Sequence, residues 1–261
     1  MSSTGSSDDL NADHYAKYSS LQSGHAEDIL RTLRIDPHAE ILDVGCGDGR
    51  NTVELAKKAI EGNVTGVDIS PSMISYASKN FPEDHFPNLH FQLSSIEEAK
   101  FSHPFNLITS FSCFHWLKEP KTVMQKLANC LEKNGELLIL TYPKESPYYQ
   151  YLEKALEKYP EFQHLSANHT MLSAQEYRDF FEEEHFRILN FTEETIFAEY
   201  KNEEEIFNFI KGWVNNYVLL PEHLQDAFIH EVIQAILDDP AIQKDPLIRV
   251  PYTALTMRIQ K

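Results

Sequence analysis

The apolar residues in the first half of the chain fall into short runs and periodic stripes that alternate. Each short run, rich in aliphatic and β-branched residues, predicts a strand, and each stripe with apolar residues three and four positions apart predicts a helix. The predicted strands are residues 40–44, 64–68, 89–93, 106–111 and 136–142. Strands that alternate with helices predict a parallel sheet covered on both faces.

The second half of the chain has a different composition. After Pro143, a long segment dense in Tyr, Phe, Glu and His precedes a predicted strand at 187–200, and a mostly helical stretch at 203–237 precedes a last predicted strand. We interpret the segments between these strands as a cap around the mouth of a site. The predicted divisions are a flexible tail at 1–12, a sheet-forming core at 13–143, a cap at 144–249 with a core strand near 187–200, and a last core strand at 250–261.

Composition and charge narrow the class of protein. With 261 residues, 42% of them hydrophobic, the chain can bury a core without disulfides or a metal. Its three cysteines, Cys46, Cys113 and Cys130, form no C-x-x-C pair, and no run of apolar residues is long enough to span a bilayer. A net charge of −17 repels phosphate backbones and anionic lipids. We therefore expect a soluble cytoplasmic protein that binds neither nucleic acid nor membrane.

A glycine cluster carries the candidate chemistry. The segment 43–49, Asp-Val-Gly-Cys-Gly-Asp-Gly, lies between a predicted strand and a predicted helix, where glycines permit a tight turn and close approach to a ligand. A dinucleotide-binding loop needs the order G-x-G-x-x-G, but Arg50 stands at the third glycine position. Asp68 ends the next predicted strand, where a carboxylate can accept bonds from ribose hydroxyls. The loop favours an adenosine-containing ligand without a pyrophosphate.

The runs ILDVGCGDG and GVDISPSM resemble the S-adenosylmethionine-dependent methyltransferases of the class I type. The resemblance implies an α/β fold: a Rossmann-like seven-stranded, mostly parallel sheet flanked by helices, with a helical cap inserted after the fifth strand. It also implies that the core binds S-adenosylmethionine, with S-adenosylhomocysteine as product and no metal, and that the cap binds the acceptor.

The resemblance assigns roles to individual positions around the cofactor. Gly45, Cys46, Gly47 and Gly49 would approach the methionine moiety, Asp68 the ribose, and Ile69 and Met73 the adenine. Many relatives carry an aspartate after the third strand to bind the adenine amino group. Here Ser95 stands in its place, followed by Ile96, whose N–H would serve the adenine ring. The expected set also includes Asp43, Ser110, Phe111 and Tyr15, the last closing over the cofactor or simply packing an N-terminal segment.

Segments 11–15, 20–22 and 110–116 look like juvenile hormone acid methyltransferases and, more loosely, like malonyl-carrier-protein and trans-aconitate methyltransferases. By this resemblance Gln22 and Trp116 would hold a substrate carboxylate, with His115 as their neighbour. Both side chains offer N–H donors, which suit an ionised carboxylate. Such an acceptor is already an anion at pH 7, so we expect alignment and exclusion of water to drive the reaction without an essential acid or base.

Several alternatives stay open at this point. Trp116 could be a core or lid residue, His115 a structural histidine, and Gln22 a surface residue. A malonyl-carrier protein is the close runner-up to a free apolar acid, although a chain at −17 would repel an acidic carrier. Methylation of an amine or a hydroxyl on another small metabolite, and a non-catalytic S-adenosylmethionine-binding protein, are further possibilities. The sequence does not indicate an oligomeric state.

Overall fold

The computed structural model describes residues 20–165 and 169–261, without the side chains of 20–23, 163–165 and 216. One sheet contains β1 (Glu40–Val44), β2 (Asn63–Asp68), β3 (Leu89–Leu93), β4 (Phe105–Phe111), β5 (Leu131–Thr141), β6 (Arg187–Tyr200) and β7 (Ile248–Gln260). Its spatial order is β3-β2-β1-β4-β5-β7-β6. Every pairing is parallel except those of β7, which runs antiparallel to both β5 and β6. The predicted Rossmann-like, mostly parallel sheet is confirmed.

Helices connect the strands and form the cap. They are α1 (Ser20–Thr32), α2 (Arg50–Lys58), α3 (Pro71–Asn80), α4 (Pro120–Asn129), α5 (Pro147–Leu156), α6 (Ala174–Glu183), α7 (Glu203–Lys211), α8 (Val214–Tyr217) and α9 (Glu222–Asp238). Short 3₁₀ turns occupy Phe114–Trp116 and Pro160–Leu165. Among the described residues, no helix has both the length and the apolar character needed to cross a membrane.

The two apolar layers of the core lie on opposite faces of the sheet. Successive side chains of a strand point to opposite faces, so the neighbours Ile41 and Leu42 on β1 enter different layers. Both are fully buried. Strands buried on both faces read as continuous apolar runs, as the sequence of β1 does.

Two elements differ from the sequence prediction by more than one or two residues at a boundary. β5 begins at Leu131 rather than at 136, because Leu131 pairs with Phe105 before a bulge shifts the register. Asn134, with φ at 66°, makes that bulge possible. The helical stretch predicted at 203–237 is interrupted twice, after Gly212 and before Pro221, since glycine and proline both disfavour continuation of a helix.

Candidate active site

The glycine loop joins β1 to α2 and is closed by its own backbone. Gly45, Gly47 and Gly49 all have positive φ, at 69°, 52° and 82°. The N–H groups of Gly45 and Cys46 donate to the Val67 carbonyl at 2.8 and 3.1 Å, and the N–H of Gly49 donates to the Cys46 carbonyl at 3.0 Å. These donors are therefore engaged inside the protein. They do not form the array of free N–H groups that a pyrophosphate needs.

One side of the loop is packed and the other is open. A methyl group added at Gly45 would lie 2.4 Å from the Cys113 sulfur, and one at Gly49 would lie 2.7 Å from the Phe91 ring. At Gly47 it would meet nothing within 4 Å. The open face of the loop is thus at Gly47, where a ligand can approach the backbone.

Two carboxylates give this region its electrostatic character. Asp43 is 1% exposed and accepts hydrogen bonds from the hydroxyls of Thr52 and Thr109 at 2.7 and 2.8 Å. Burial raises the pKa of Asp43 to about 6, and the nearby charge of Asp68 adds to the effect. Asp68 accepts from the N–H groups of Gly47 and Ser70, each at 2.9 Å, and burial raises its pKa also. Such a site favours a cationic ligand and disfavours a phosphate.

Exposed apolar side chains border the loop beyond Asp68. Ile69 and Leu93, at the ends of β2 and β3, are 50% and 53% exposed. Ile69 was predicted from the sequence and Leu93 was not, although Leu93 stands at the end of a predicted strand. Met73, the other predicted adenine neighbour, is fully buried on α3, where its N–H donates to the hydroxyl of the capping residue Ser70 at 3.3 Å.

Ser95 and Ile96 lie in the turn that follows β3. The Ser95 hydroxyl accepts from the N–H of Glu98 at 3.3 Å, and Ile96 is buried. The Lys126 ammonium, on α4, donates to the carbonyls of Ile96, Glu97 and Ala99 at 2.7, 2.8 and 2.6 Å. All three protons of this ammonium are used to fix the turn, a role that no local sequence pattern reveals.

Replacing Lys126 by methionine is expected to loosen this turn. Hydrogen bonds to a charged group contribute roughly 1.5–3 kcal/mol each, and water will restore part of that when the ammonium is removed. The sequence resemblance places Ser95 and Ile96 of this turn at the adenine, so we expect nucleoside affinity to fall about three- to tenfold. Titration calorimetry with S-adenosylhomocysteine measures this. Lys121→Met, on an exposed position of the same helix, is the matched control; equal losses in both variants would exclude a specific role for Lys126.

The segment after β4 joins the loop region to an aromatic cavity. The buried Ser110 donates its hydroxyl proton to the Val44 carbonyl at 2.9 Å, which ties β4 to the end of β1, and Phe111 beside it is buried. Ser112 has φ at 58°, a conformation rare for serine, and its hydroxyl lies 3.0 Å from that of Tyr142. Sequence reasoning missed both Ser112 and Tyr142.

His115 and Trp116 lie on the 3₁₀ turn that follows. His115 is 2% exposed, with its Nδ1 atom 3.2 Å from the Thr141 hydroxyl. Burial lowers the pKa of His115 to about 3, so the ring is neutral at physiological pH. The Trp116 ring is partly exposed, with its centroid 4.6 Å from that of His115 and 6.0 Å from that of Trp213.

These two residues line an aromatic cavity beneath the cap. Its polar edges are hydroxyl, imidazole and indole groups, and among the described residues none of its lining side chains is Asp, Glu, Lys or Arg. The indole N–H of Trp213 is buried and has no hydrogen-bond partner among the described residues. Two sequence signals pointed to this cavity: the density of aromatic residues after Pro143 and the resemblance that singled out His115 and Trp116. Its walls are His115, Trp116, Tyr142, Ser146, Tyr148, Tyr149, Ala198, Tyr200, Phe209, Trp213 and Tyr252.

Two predicted site residues are not located by the structure. Tyr15 lies outside the described residues, and Gln22 belongs to α1 but its side chain is not described. The structure therefore brings together Asp43, the glycine loop and Asp68, and separately places His115 and Trp116 in one cavity. The predicted pairing of Gln22 with Trp116 stays a prediction.

The chain is similar in sequence to known methyltransferases. Residues 35–224 match the family model described as a methyltransferase domain. The malonyl-[acyl-carrier protein] O-methyltransferase of Acetivibrio thermocellus is 34% identical over 134 residues, which cover 51% of this chain and 46% of that protein. The trans-aconitate 2-methyltransferase of Deinococcus radiodurans is 30% identical over 129 residues, which cover 49% and 48%. This chain thus spans about half the length of these relatives.

A solved structure shares the fold over nearly the whole chain. The YcgJ protein from Bacillus subtilis superposes with a TM-score of 0.67 at 16% identity, covering 92% of this chain and 98% of that one. At this level of identity the likeness concerns the fold.

Proposed function

Because the chain belongs to the methyltransferase domain family, we propose that it uses S-adenosylmethionine to methylate the carboxylate of a small or medium-sized apolar acid. The observation that carries the acceptor assignment is the aromatic cavity, whose described walls offer N–H and O–H donors and include no acidic side chain. A carboxylate accepts hydrogen bonds and an apolar body fills an aromatic cavity. An apolar acid has both features.

The glycine loop supports the cofactor assignment. When bound, S-adenosylmethionine supplies an activated methyl group on a positively charged sulfur. Asp43 and Asp68 place buried negative charge at the loop, and neither has an ion-pair partner among the described residues. Asp68 would accept from the ribose hydroxyls, and the open face at Gly47 would admit the methionine part. Ile69 and Leu93 would cover the adenine, with Ser95 and Ile96 at its edge.

The acceptor side needs donors and alignment rather than a base. Trp116 and Gln22 would hold the carboxylate through N–H groups, as the sequence resemblance implies. The carboxylate is ionised at pH 7, so no residue has to remove a proton from it. The cap residues that line the cavity exclude water, which would otherwise solvate the nucleophile.

The alternatives fit this cavity less well. A hydroxyl acceptor needs a general base, but the pKa of His115, lowered to about 3 by burial, makes it a poor base at pH 7. An amine acceptor is best recognised by carboxylates, which the cavity walls lack, although their aromatic faces also attract cations. A malonyl group on a carrier protein keeps the carboxylate chemistry and stays the second candidate, in keeping with the name of one relative.

The test is transfer of labelled methyl groups to a panel of free acids, a malonyl-carrier protein, alcohols and amines. Label on a free acid that is released by mild base supports the proposal, whereas base-stable label contradicts it. We expect Gln22→Ala and Trp116→Ala to lower turnover about 10- to 100-fold, because each removes a donor that aligns the acceptor. Their affinity for S-adenosylhomocysteine should stay within about twofold. The exposed Gln175→Ala is the control variant.

A further inference from the structure

A second, more open cavity lies on the surface between α1 and β6. Its apolar lining includes Ile29 and Ile196, and its polar lining includes His25, Asp28, Thr32 and Glu194. The side chains of His25 and Glu194 approach to 3.9 Å. Tyr252 on β7 lines this groove and also lines the aromatic cavity.

The register of the sheet explains why one residue borders both spaces. Tyr252 pairs with Ile196, which lines the groove, and Val250 pairs with Ala198, which lines the aromatic cavity. Ile196 and Ala198 are two positions apart on one strand, so they share a face of the sheet and lie about 7 Å from each other. The groove and the cavity are therefore neighbours on one face.

The Tyr252 side chain fills the space between them. It is buried, and its ring meets the Tyr142 ring edge-on with centroids 5.4 Å apart. Tyr142 in turn lies 5.0 Å from His115, the residue next to the predicted carboxylate donor Trp116. The rings of His115, Tyr142 and Tyr252 thus form a continuous row from the predicted carboxylate end of the cavity to the wall that Tyr252 makes.

We propose that Tyr252 sets the length of the acceptor: its ring closes the aromatic cavity on the side away from His115 and Trp116, and its removal would let an extended apolar chain continue into the groove beside Ile29 and Ile196. This inference rests on the proposed function, since it assumes that the acceptor's reactive group lies beside Trp116. The ligand class is an unbranched apolar acid whose length is limited by Tyr252. The side chains of Ile29 and Ile196 suit the additional methylene groups.

The experiment measures a length profile. Straight-chain saturated acids of increasing length, and primary amines of the same lengths, are titrated into the full chain with S-adenosylhomocysteine bound, and kcat/KM is measured with S-adenosylmethionine. Tyr252→Ala is expected to move the optimum to acids longer by several methylene groups, with at least about a tenfold gain for those acids. Tyr252→Phe keeps the ring and should keep the wild-type optimum. Ala198→Leu, which fills the cavity beside Tyr252, should move the optimum to shorter acids.

The outcomes separate the two proposals. An unchanged optimum in Tyr252→Ala, with affinity for S-adenosylhomocysteine retained, overturns the role of Tyr252. If Tyr252→Ala does not fold, Tyr252→Leu takes its place in the same comparison. If the wild-type protein methylates amines but no acid, the proposed acceptor class is wrong, and the length profile is read from the amines. If nothing is methylated, the binding titrations still show whether the preferred length depends on Tyr252.

Discussion

Asp68→Ala is expected to weaken the binding of S-adenosylmethionine at least about 100-fold. The carboxylate would accept two charge-assisted hydrogen bonds from the ribose, each contributing roughly 1.5–3 kcal/mol. It also holds the N–H groups of Gly47 and Ser70, so its removal leaves two loop donors without their acceptor. Titration calorimetry with S-adenosylmethionine and S-adenosylhomocysteine measures the loss.

The comparison with two other variants makes this test specific. Asp68→Asn keeps one acceptor oxygen and should lose less affinity than Asp68→Ala. Asp84→Asn changes an exposed carboxylate and should bind as the wild-type protein does. Burial raises the pKa of Asp68, so this carboxylate becomes protonated at a higher pH than an exposed one would. The affinity of the wild-type protein should therefore begin to fall at that higher pH as the solution is acidified. If the affinity of Asp68→Ala is within threefold of the wild-type affinity, Asp68 does not contact the ligand.

Gly45→Ala is expected to have the largest effect on stability. The added methyl group would lie 2.4 Å from the sulfur and 2.5 Å from the Cβ atom of Cys113. In addition, the φ of 69° costs a residue with a Cβ atom about 1–2 kcal/mol. We expect a loss of at least about 3 kcal/mol in the free energy of unfolding, measured by urea denaturation. The double variant with Cys113→Gly should recover part of it; additive losses would mean that this contact is not the cause.

Gly47→Ala provides the contrast within the same loop. Its backbone is also left-handed, with φ at 52°, but a methyl group there meets nothing within 4 Å. Only the backbone penalty of about 1–2 kcal/mol should therefore appear in stability. If the cofactor lies against the open face, its affinity should fall by more than tenfold in Gly47→Ala. A normal affinity would place the ligand elsewhere.

The geometry of the loop that we propose binds the cofactor could be predicted from the sequence because it is local. The strand, the glycine loop and the following helix occupy 40–58, and the second strand ends at Asp68. Short apolar runs bounded by glycine and polar residues gave β1 and β3 with the bounds that the structure has. Parallel strands bring their carboxyl ends to one edge, so the approach of Gly47 to Asp68 follows from the topology.

The cavity that we propose binds the acceptor could not be predicted in this way, since its walls come from distant parts of the chain. His115 and Tyr252 line the same cavity although most of the cap lies between them in sequence. The bulge at the start of β5 depends likewise on the pairing of Leu131 with Phe105 across the sheet. Periodicity reports which residues are buried, but it does not report which buried residues meet.

The antiparallel position of β7 has a consequence for synthesis of the chain. β1 to β5 can pair with one another as they leave the ribosome, but β6 has β7 as its only neighbour in the described sheet. Closing the sheet requires Glu136 to meet Gln260, a contact between distant positions that is slow to form. Until residues 248–260 emerge, the edges of β5 and β6 that pair with β7 have no partner. The nascent protein is therefore most dependent on chaperones between the emergence of β6 and that of β7.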